Sequence, residues 1–295
     1  MKELRKNTCL NIKKHLIREP VLLTINNLKM NIMANHKKYA LITGASSGIG
    51  FELAKLFAKD GYNLIIVGRD KEQLNQRAKE LGAQGVEVIS LVKDLFKRED
   101  TLSIYQAVKS HGIDVEVLIN NAGQGAYGEF KDTELNKELD IIELNISAVV
   151  ILTKDFLKDM LSRNSGMILN LASIASKAPG PWQSVYHGTK AFMLSFSEAL
   201  TEEVKDSNVT ITALLPGATD TDFFNKADMN NSKIVQEQDK ADPAKVAKDG
   251  YDGLLSGKDK VISGLKNKLQ VGMTNLMTDR AAAHSMNEQQ KPVDE

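Results

Sequence analysis

The chain has 295 residues, of which 42% are hydrophobic and 26% charged, and its 38 basic residues balance 38 acidic ones. This composition is typical of a soluble protein with one large α/β domain or two small ones, and zero net charge gives no sign of a nucleic-acid partner. The single cysteine, Cys9, excludes an internal disulfide, and no apolar run approaches the roughly 20 residues that cross a bilayer, so we expect a cytoplasmic globular protein without a metal site.

Residues 1–36 differ in character from the rest of the chain. They are rich in Lys, Arg and Asn, with short apolar clusters that Thr24 and Lys29 soon interrupt, which argues against a signal peptide. Three interpretations stay open: a disordered or partly helical tail, an arm that associates with a surface, or an artefact of start-site assignment. Because Met30 and Met33 lie just before the first predicted strand, the third interpretation predicts that a protein starting at either methionine keeps its full activity.

From residue 39 onward, strand-like segments alternate with helix-like ones, which indicates a parallel sheet with helices on both faces. Strands are predicted at 39–43, 63–67, 86–92, 115–119, 167–171, 209–215 and 260–263, and helices at 48–59, 71–81, 99–110, 134–161, 184–205 and 243–255. The strands are continuous apolar runs, as expected for burial on both faces. We therefore predict one Rossmann-like, doubly wound domain of about seven strands over residues 37–280, followed by a polar tail at 281–295 that we expect to be frayed.

A glycine-rich turn, TGASSGIG at 43–50, follows the first predicted strand and opens the first predicted helix. Glycines permit a tight turn and let backbone N–H groups approach a pyrophosphate at the helix N-terminus, where the helix dipole favours negative charge. The glycine spacing differs from the common GxGxxG, but the strand–turn–helix context is the expected one. The alternative is a connection that binds no ligand. The candidate cofactor-binding residues here are Gly44, Ser46, Ser47, Gly48, Ile49 and Gly50.

The second predicted strand ends at Gly68-Arg69-Asp70, where dinucleotide-binding folds contact the adenosine ribose. An acidic residue there accepts hydrogen bonds from a 2′-hydroxyl, whereas an arginine can pair with a 2′-phosphate. Arg69 comes first, and Asp70 is better placed to cap the next helix. Arg69 therefore favours NADP(H) over NAD(H), which stays possible, and a solvated surface arginine is the alternative.

Tyr186 and Lys190 are four residues apart in a predicted helix, so their side chains share one face. A tyrosine with a pKa of about 10 is a poor acid–base catalyst at neutral pH. A neighbouring ammonium favours the phenolate and is expected to lower that pKa toward the working range. The pair is thus a candidate for proton transfer, although this spacing also arises by chance in long proteins.

Taken together and in this order, the motifs resemble those of the short-chain dehydrogenase/reductase family over approximately residues 37–265. The first matches are the TGxxxGxG turn, Asp94 and Leu95 after the third strand, and Asn121, Ala122 and Gly123 in an NNAG segment after the fourth strand. The catalytic tetrad of the family is matched by Asn145, Ser173, Tyr186 and Lys190. The last match is Pro216-Gly217, followed by Thr219 and Thr221. The resemblance implies that 94–95 contact the adenine, that 121–123 border the cofactor and that the 216–221 loop meets the nicotinamide carboxamide.

The resemblance also implies a mechanism that agrees with the chemistry of these residues. Tyr186 would donate a proton to a substrate carbonyl as hydride leaves the nicotinamide, or accept one in the oxidative direction. Lys190 would lower the pKa of Tyr186 and bind the nicotinamide ribose. Ser173 would bind the carbonyl or alkoxide oxygen, and Asn145 would hold a water that links Lys190 to solvent.

Between the two members of the catalytic pair lies His187-Gly188-Thr189, where many relatives carry Ala-Ser before the lysine. His187 could look catalytic, but a position directly after Tyr186 points to a different face of the helix, so a structural or surface role is favoured. Gly188 costs a helix up to about 1 kcal/mol relative to alanine, which a close approach of the cofactor or a neighbouring strand would explain.

The loops expected to cover the site, 174–182 and 220–238, suggest an apolar substrate. They contain Trp182, Phe223, Phe224 and Met229 and no obvious fixed charge for an ionic substrate, although these side chains could instead only pack the lid. A ketone or aldehyde reductase of broad or lipid-like range is the first interpretation, and a 3-oxoacyl-thioester reductase is its nearest rival. A dinucleotide-binding sensor or scaffold is the non-enzymatic alternative. The resemblance also implies a homodimer or homotetramer.

Overall fold

The structure is a computed structural model that describes residues 37–293, and the described residues from Lys38 onward form one compact unit. The expectations for residues 1–36 lie outside the described residues. Within the described part, seven strands form one sheet. They are β1 (Tyr39–Thr43), β2 (Asn63–Gly68), β3 (Val88–Val92), β4 (Val115–Asn120), β5 (Gly166–Leu171), β6 (Val209–Leu215) and β7 (Lys260–Ile262).

Helices connect the strands and continue beyond the last of them. They are α1 (Gly48–Lys59), α2 (Lys71–Gly82), α3 (Arg98–Ser110), α4 (Leu135–Ile142), α5 (Ala148–Arg163), α6 (Ser184–Glu203), α7 (Phe223–Lys226), α8 (Lys233–Glu237), α9 (Pro243–Leu255), α10 (Leu265–Thr274) and α11 (Asp279–Gln290). Polar side chains at their N-termini fix several starts: Asp70 accepts a hydrogen bond from the N–H of Gln73, and Asp242 precedes Pro243 at the start of α9.

All neighbouring strands are parallel, in the order β3-β2-β1-β4-β5-β6-β7. The order reverses between β1 and β4, where Ile42 pairs with Ile66 on one side and with Ile119 on the other. In open parallel sheets this reversal opens a crevice beyond the carboxyl ends of the strands, where ligands bind. The predicted doubly wound sheet is therefore confirmed.

The two faces of the sheet have separate cores, as the alternation along β1 shows. Ala40 and Ile42 belong to the core that contains Phe57 of α1, whereas Leu41 belongs to the core that contains Phe156 of α5. Successive strand residues point to opposite faces, so each strand must be apolar on both. This explains why the continuous apolar runs in the sequence identified the strands.

The structure corrects the expectation of a frayed polar tail from residue 281. Residues Asp279–Gln290 form α11, in which Ala282, Met286 and Gln290 are buried. These three residues are four apart, so one narrow face of an otherwise polar helix packs on the domain. Because the segment contains few apolar residues, its sequence did not indicate a helix with a buried face.

Candidate active site

The glycine turn lies at the carboxyl end of β1, and two of its glycines have left-handed backbone. Gly44 has φ of 64° and Gly48 has φ of 55°, a region that side-chain-bearing residues rarely adopt. An ideal Cβ on Gly44 would lie 2.9 Å from Nδ2 of Asn121. A Cβ on Gly50 would overlap the same nitrogen and lie 2.5 Å from the carbonyl oxygen of Gly44. The turn therefore depends on glycine both for its backbone path and for the close approach of Asn121.

Thr43 and Asn121 fasten the glycine turn to the end of β4. The Thr43 hydroxyl donates to the carbonyl of Ile119 at 3.2 Å and accepts from the N–H groups of Asn121 and Ala122, each at 3.0 Å. The Asn121 side-chain amide donates to the carbonyls of Thr43 and Gly44 at 2.9 and 3.2 Å. The visible role of the Asn121 side chain is thus to hold the turn in place.

A cleft runs along this turn past the carboxyl ends of β1, β2 and β4. The structure brings eleven of the predicted cofactor-binding residues to its walls: Gly44, Ser46, Ser47, Gly48, Ile49, Arg69, Leu95, Asn121, Ala122, Gly123 and Thr221. Lys93 and Phe96 line it as well. Gly50 does not line the cleft, and Asp94 faces an adjoining depression together with Arg69 and Phe96.

Arg69 and Asp70 have different surroundings at the end of β2. The guanidinium of Arg69 stacks over the ring of Phe96, with Cζ 4.6 Å from the ring centroid. The carboxylate of Asp70 accepts the hydrogen bond from Gln73 at the start of α2. The carboxylate of Asp94 accepts from the N–H of Phe96 at 3.2 Å. The arginine is therefore the residue of the Arg69-Asp70 pair that borders the cleft, and the aspartate caps a helix as expected.

A second cavity, the substrate cavity, adjoins this cleft and contains three members of the predicted tetrad, Ser173, Tyr186 and Lys190. Ile49 and Asn121 line both spaces, so the substrate cavity lies directly beside the cleft. The other members of the predicted set that line it are Gly123, Pro216, Gly217 and Thr219, and its apolar residues include Ile174, Phe223, Phe224, Met229, Ile234 and Met286.

Lys190 and Tyr186 lie on one face of α6, as their spacing predicts. The ammonium nitrogen of Lys190 is 5.8 Å from the centroid of the Tyr186 ring and donates to the carbonyl of Leu171 at 2.7 Å. Ser173 begins a 3₁₀ turn, accepts from the N–H of Ala175 at 3.1 Å and donates to the carbonyl of Pro216 at 3.4 Å. The latter distance marks a weak hydrogen bond, so the hydroxyl has little to lose by turning toward a substrate oxygen.

Burial dominates the ionisation of Tyr186 and Lys190. It raises the pKa of the Tyr186 phenol to about 12, and the hydrogen bond with Ser173 acts in the opposite direction. Burial also lowers the pKa of the Lys190 ammonium to about 8. Burial, not the neighbouring ammonium, is the main cause of the shift in the pKa of Tyr186, so the expected lowering of that pKa by Lys190 stays a prediction.

Asn145 lies outside the cleft and the substrate cavity, in a π-helical turn (Glu143–Ser147) that interrupts the helix predicted over 134–161. Its side-chain amide donates to the carbonyl of Gln124 at 2.9 Å and to the Thr189 hydroxyl at 3.0 Å. Its oxygen accepts from the N–H of Gln124 at 3.1 Å. Asn145 therefore joins the loop after β4 to α6 next to Lys190.

The loop after β6 covers both spaces. The carbonyl of Pro216 accepts from the N–H of Ile174 at 3.0 Å, and the hydroxyl of Thr219 donates to the carbonyl of Gly217 at 3.0 Å. The methyl group of Thr221 lies 2.9 Å from an ideal Cβ on Gly48. The loop thus passes from the substrate cavity to the glycine turn.

His187 and Gly188 have structural surroundings. His187 is buried, with Nδ1 2.8 Å from the carbonyl of Ala178 and Nε2 2.9 Å from the amide nitrogen of Gln290. Burial lowers its pKa. Gly188 is exposed, and no described atom outside its chain neighbours and its own helix backbone lies within 4 Å of the Cβ that alanine would add, so no neighbouring strand accounts for glycine at this position.

A comparison with protein families decides the identity. A model of the short chain dehydrogenase family matches residues 38–232. The chain belongs to this family. The protein is accordingly an oxidoreductase that acts on CH–OH or C=O groups.

Relatives of this short-chain dehydrogenase include proteins of known and unknown activity. The uncharacterized oxidoreductase YvrD of Bacillus subtilis is 36% identical over 186 residues, which cover 63% of this chain and 70% of the relative. A very-long-chain 3-oxoacyl-CoA reductase of Anas platyrhynchos is 38% identical over 185 residues, or 60% of this chain and 58% of the relative. A solved short-chain dehydrogenase from Sphingobium yanoikuyae, in complex with NADPH, is 30% identical with a TM-score of 0.73, over 82% of this chain and 96% of that one.

Sequence reasoning missed several site residues of this short-chain dehydrogenase. Thr43 is the first residue of the turn motif, and Lys93 and Phe96 flank the Asp94-Leu95 dipeptide. Their positions next to predicted site residues were therefore a signal in the sequence. Gln183 lies one helical turn before Tyr186. Gln290 carried no local signal, because a contact across more than a hundred residues brings it to His187. Within residues 37–293, no helix is long and apolar enough to cross a bilayer.

Proposed function

We propose that this short-chain dehydrogenase transfers hydride between NADP(H) and an apolar carbonyl or secondary alcohol, with Tyr186 as general acid or base. The observation that carries the proposal is that Ser173, Tyr186 and Lys190 line one cavity, next to a cleft whose glycine turn can admit a pyrophosphate. Because Tyr186, a proton donor, lies beside the nucleotide cleft, a catalytic role is favoured over a sensor or scaffold role.

The residues of the cleft fit a dinucleotide. The turn offers the N-terminus of α1 to a diphosphate, and Gly44 and Gly48 leave that approach free of side chains. Leu95 and the NNAG segment would border the adenosine and the nicotinamide. When bound, the dinucleotide supplies or accepts the hydride.

The protein's own residues manage the proton and the substrate oxygen. With its pKa raised to about 12, Tyr186 is protonated at neutral pH and ready to act as the acid in carbonyl reduction. The Ser173 hydroxyl can donate to the same oxygen and stabilise the charge that develops there. Lys190 brings positive charge beside the phenol and favours its ionisation as the proton leaves. Asn145 holds α6 in place and, by family resemblance, would support resupply of the proton.

The preference for NADP(H) rests on Arg69. Its guanidinium is held against Phe96 at the border of the cleft, and Lys93 adds a second positive charge to the same wall. The neighbouring carboxylate of Asp70 is engaged in a helix cap. The Sphingobium relative binds NADPH, which supports the same choice.

The substrate cavity favours an apolar ketone or aldehyde, because Phe223, Phe224, Met229 and Met286 supply much of its wall. A 3-oxoacyl thioester is the second candidate, supported by the relative named as a very-long-chain 3-oxoacyl-CoA reductase. Its acyl chain would suit the same apolar wall.

The decisive experiment follows NADPH oxidation with a panel of apolar ketones, aldehydes and 3-oxoacyl thioesters, with NADH in parallel. We expect turnover with NADPH that depends on Tyr186, and the ratio of ketone to thioester rates selects between the two substrate classes. Tight NADPH binding without turnover of any member would instead support a sensor. A cytoplasmic location and a homodimer or homotetramer stay predictions, to be tested by cell fractionation and by light scattering.

A further inference from the structure

Three buried polar side chains form one wall of the substrate cavity. Gln183, His187 and Gln290 are 4%, 4% and 2% exposed, and all three line the space that contains Tyr186. Gln183 precedes the first residue of α6, and Gln290 is the last residue of α11. Two segments that are far apart in sequence therefore place amides beside the proton donor.

The hydrogen bonds of His187 determine how the Gln290 amide is oriented. Nδ1 lies 2.8 Å from the carbonyl of Ala178, and a carbonyl only accepts, so Nδ1 carries the hydrogen. In the neutral ring Nε2 is then an acceptor. Burial lowers the pKa of His187 and favours that neutral form. The Gln290 amide nitrogen, 2.9 Å from Nε2, must therefore donate to it.

In this arrangement the amide nitrogen of Gln183 is a hydrogen-bond donor without a partner among residues 37–293, and the side-chain oxygen of Gln290 is an acceptor without one. The Gln290 amide nitrogen also donates to Oε1 of Gln183 at 3.4 Å. Both unpaired atoms, Nε2 of Gln183 and Oε1 of Gln290, are buried. Buried polar groups are normally paired, with protein, water or ligand.

The unused donor lies close to the reaction centre. Nε2 of Gln183 and Cδ2 of Tyr186 are 3.2 and 3.4 Å from one common point, the ideal Cβ position of Gly125. Phe223 Cζ is 3.0 Å from that point. A group bound to Gln183 would thus be near the catalytic ring and beside an apolar wall.

We propose that Gln183 and Gln290 together bind a second polar group of the substrate, a hydroxyl distinct from the reacting carbonyl or alcohol. Its oxygen accepts from the Gln183 amide, and its hydrogen is donated to the Gln290 carbonyl. A hydroxyl is the smallest group that does both. This inference rests on the proposed function, because it specifies the substrate of the same cavity.

The consequence is selectivity for hydroxyketones over ketones of the same size. A site that hydrogen-bonds a substrate hydroxyl discriminates strongly against the analogue that lacks it, because its own buried groups are then left unpaired. An ether oxygen accepts from Gln183 but offers no hydrogen to Gln290. It should therefore bind less well than the hydroxyl.

The test uses 2-alkanones of one chain length that carry hydrogen, methoxy or hydroxyl at successive carbons. We expect one hydroxylated member to exceed the unsubstituted ketone in kcat/KM with NADPH by about tenfold or more, as roughly one good hydrogen bond supplies, with the methoxy compound below the hydroxylated one. Gln183→Met and Gln290→Met should remove this preference, so that each variant turns over the hydroxylated and the plain ketone with the same kcat/KM, whatever its absolute rate. Gln289→Met is the matched control, since Gln289 is on the same helix but does not line the cavity.

Binding of the same compounds provides a readout independent of turnover. Trp182 is the single tryptophan of the chain, and its indole N–H donates to Asn287 of α11 at 3.0 Å, so its fluorescence reports on this wall. Turnover without any preference for a hydroxyl overturns the inference and leaves the proposed function intact. Selective binding without turnover supports the hydroxyl site and refutes the proposed chemistry. Thermal denaturation shows that each variant is folded, and equal Kd values for all members in the native protein overturn the inference whatever the variants do.

Discussion

Replacing Asn145 by alanine should destabilise the domain through three hydrogen bonds that join the loop after β4 to α6. The side chain is 2% exposed and contacts Gln124 twice and Thr189 once. At about 0.5–1.5 kcal/mol for each net hydrogen bond, the three sum to roughly 1.5–4.5 kcal/mol. The free energy of unfolding should fall by that amount, and kcat should fall as well because α6 carries Lys190.

Urea denaturation, followed by the fluorescence of Trp182 and by circular dichroism, measures the loss. Thr189→Val removes the hydroxyl that accepts from Asn145 and donates to the carbonyl of Tyr186 at 2.7 Å, so it should cost about 1–3 kcal/mol for the two bonds. In the double variant, the Asn145–Thr189 bond is lost only once, so the two effects should fall short of additivity by about 1 kcal/mol. Additive effects, or an Asn145→Ala protein as stable as the native one, would refute the reasoning.

Further predictions concern the catalytic pair, the cofactor and the glycine turn. Tyr186→Phe keeps the ring but removes the transferable proton, so kcat should fall about 10²–10⁴-fold with an unchanged Kd for NADPH by fluorescence titration; near-normal turnover contradicts the role. Arg69→Glu should lower the NADPH-to-NADH ratio of kcat/KM at least about tenfold, since it repels a 2′-phosphate; an unchanged ratio contradicts the assignment. Burial lowers the pKa of Lys190 from 10.5 to about 8, so the unfolded chain binds more protons between these values, and the free energy of unfolding in urea should rise with pH across that window. In Lys190→Met this rise should be weaker, and an equal slope counts against the shift. Gly50→Ala should cost about 1–3 kcal/mol by overpacking, whereas Gly188→Ala, with open space around it, should be neutral or stabilising; equal denaturation midpoints would show that the close contact at Gly50 is unimportant.

Local patterns were sufficient for most of the sheet and for the glycine turn. The strands are buried on both faces, so their apolar runs are readable without knowledge of their neighbours. Asp70 was correctly predicted as a helix cap because capping depends on residues three apart. Gly44 and Gly48 stood out for a similar reason, since a left-handed backbone strongly favours glycine.

Features that depend on distant parts of the chain were not readable in the same way. The burial that raises the pKa of Tyr186 is a property of the assembled site, and spacing alone suggested the opposite direction. Gln290 reaches His187 only after α11 has packed on the domain. The π-helical turn at Asn145 lies inside a segment whose periodicity reads as one uninterrupted helix.

The close contacts around Asn121 imply an order of dependence among three positions. The Asn121 amide occupies space that a side chain at residue 44 or 50 would need, so it is compatible only with Gly44 and Gly50. Both glycines are also constrained by backbone, at Ala122 and at the Gly44 carbonyl respectively. Loss of the amide would therefore not free either glycine to change, whereas gain of a side chain at either glycine would displace the amide. The dependence is therefore one-directional: the amide at 121 needs glycine at both 44 and 50, whereas the glycines are required with or without the amide.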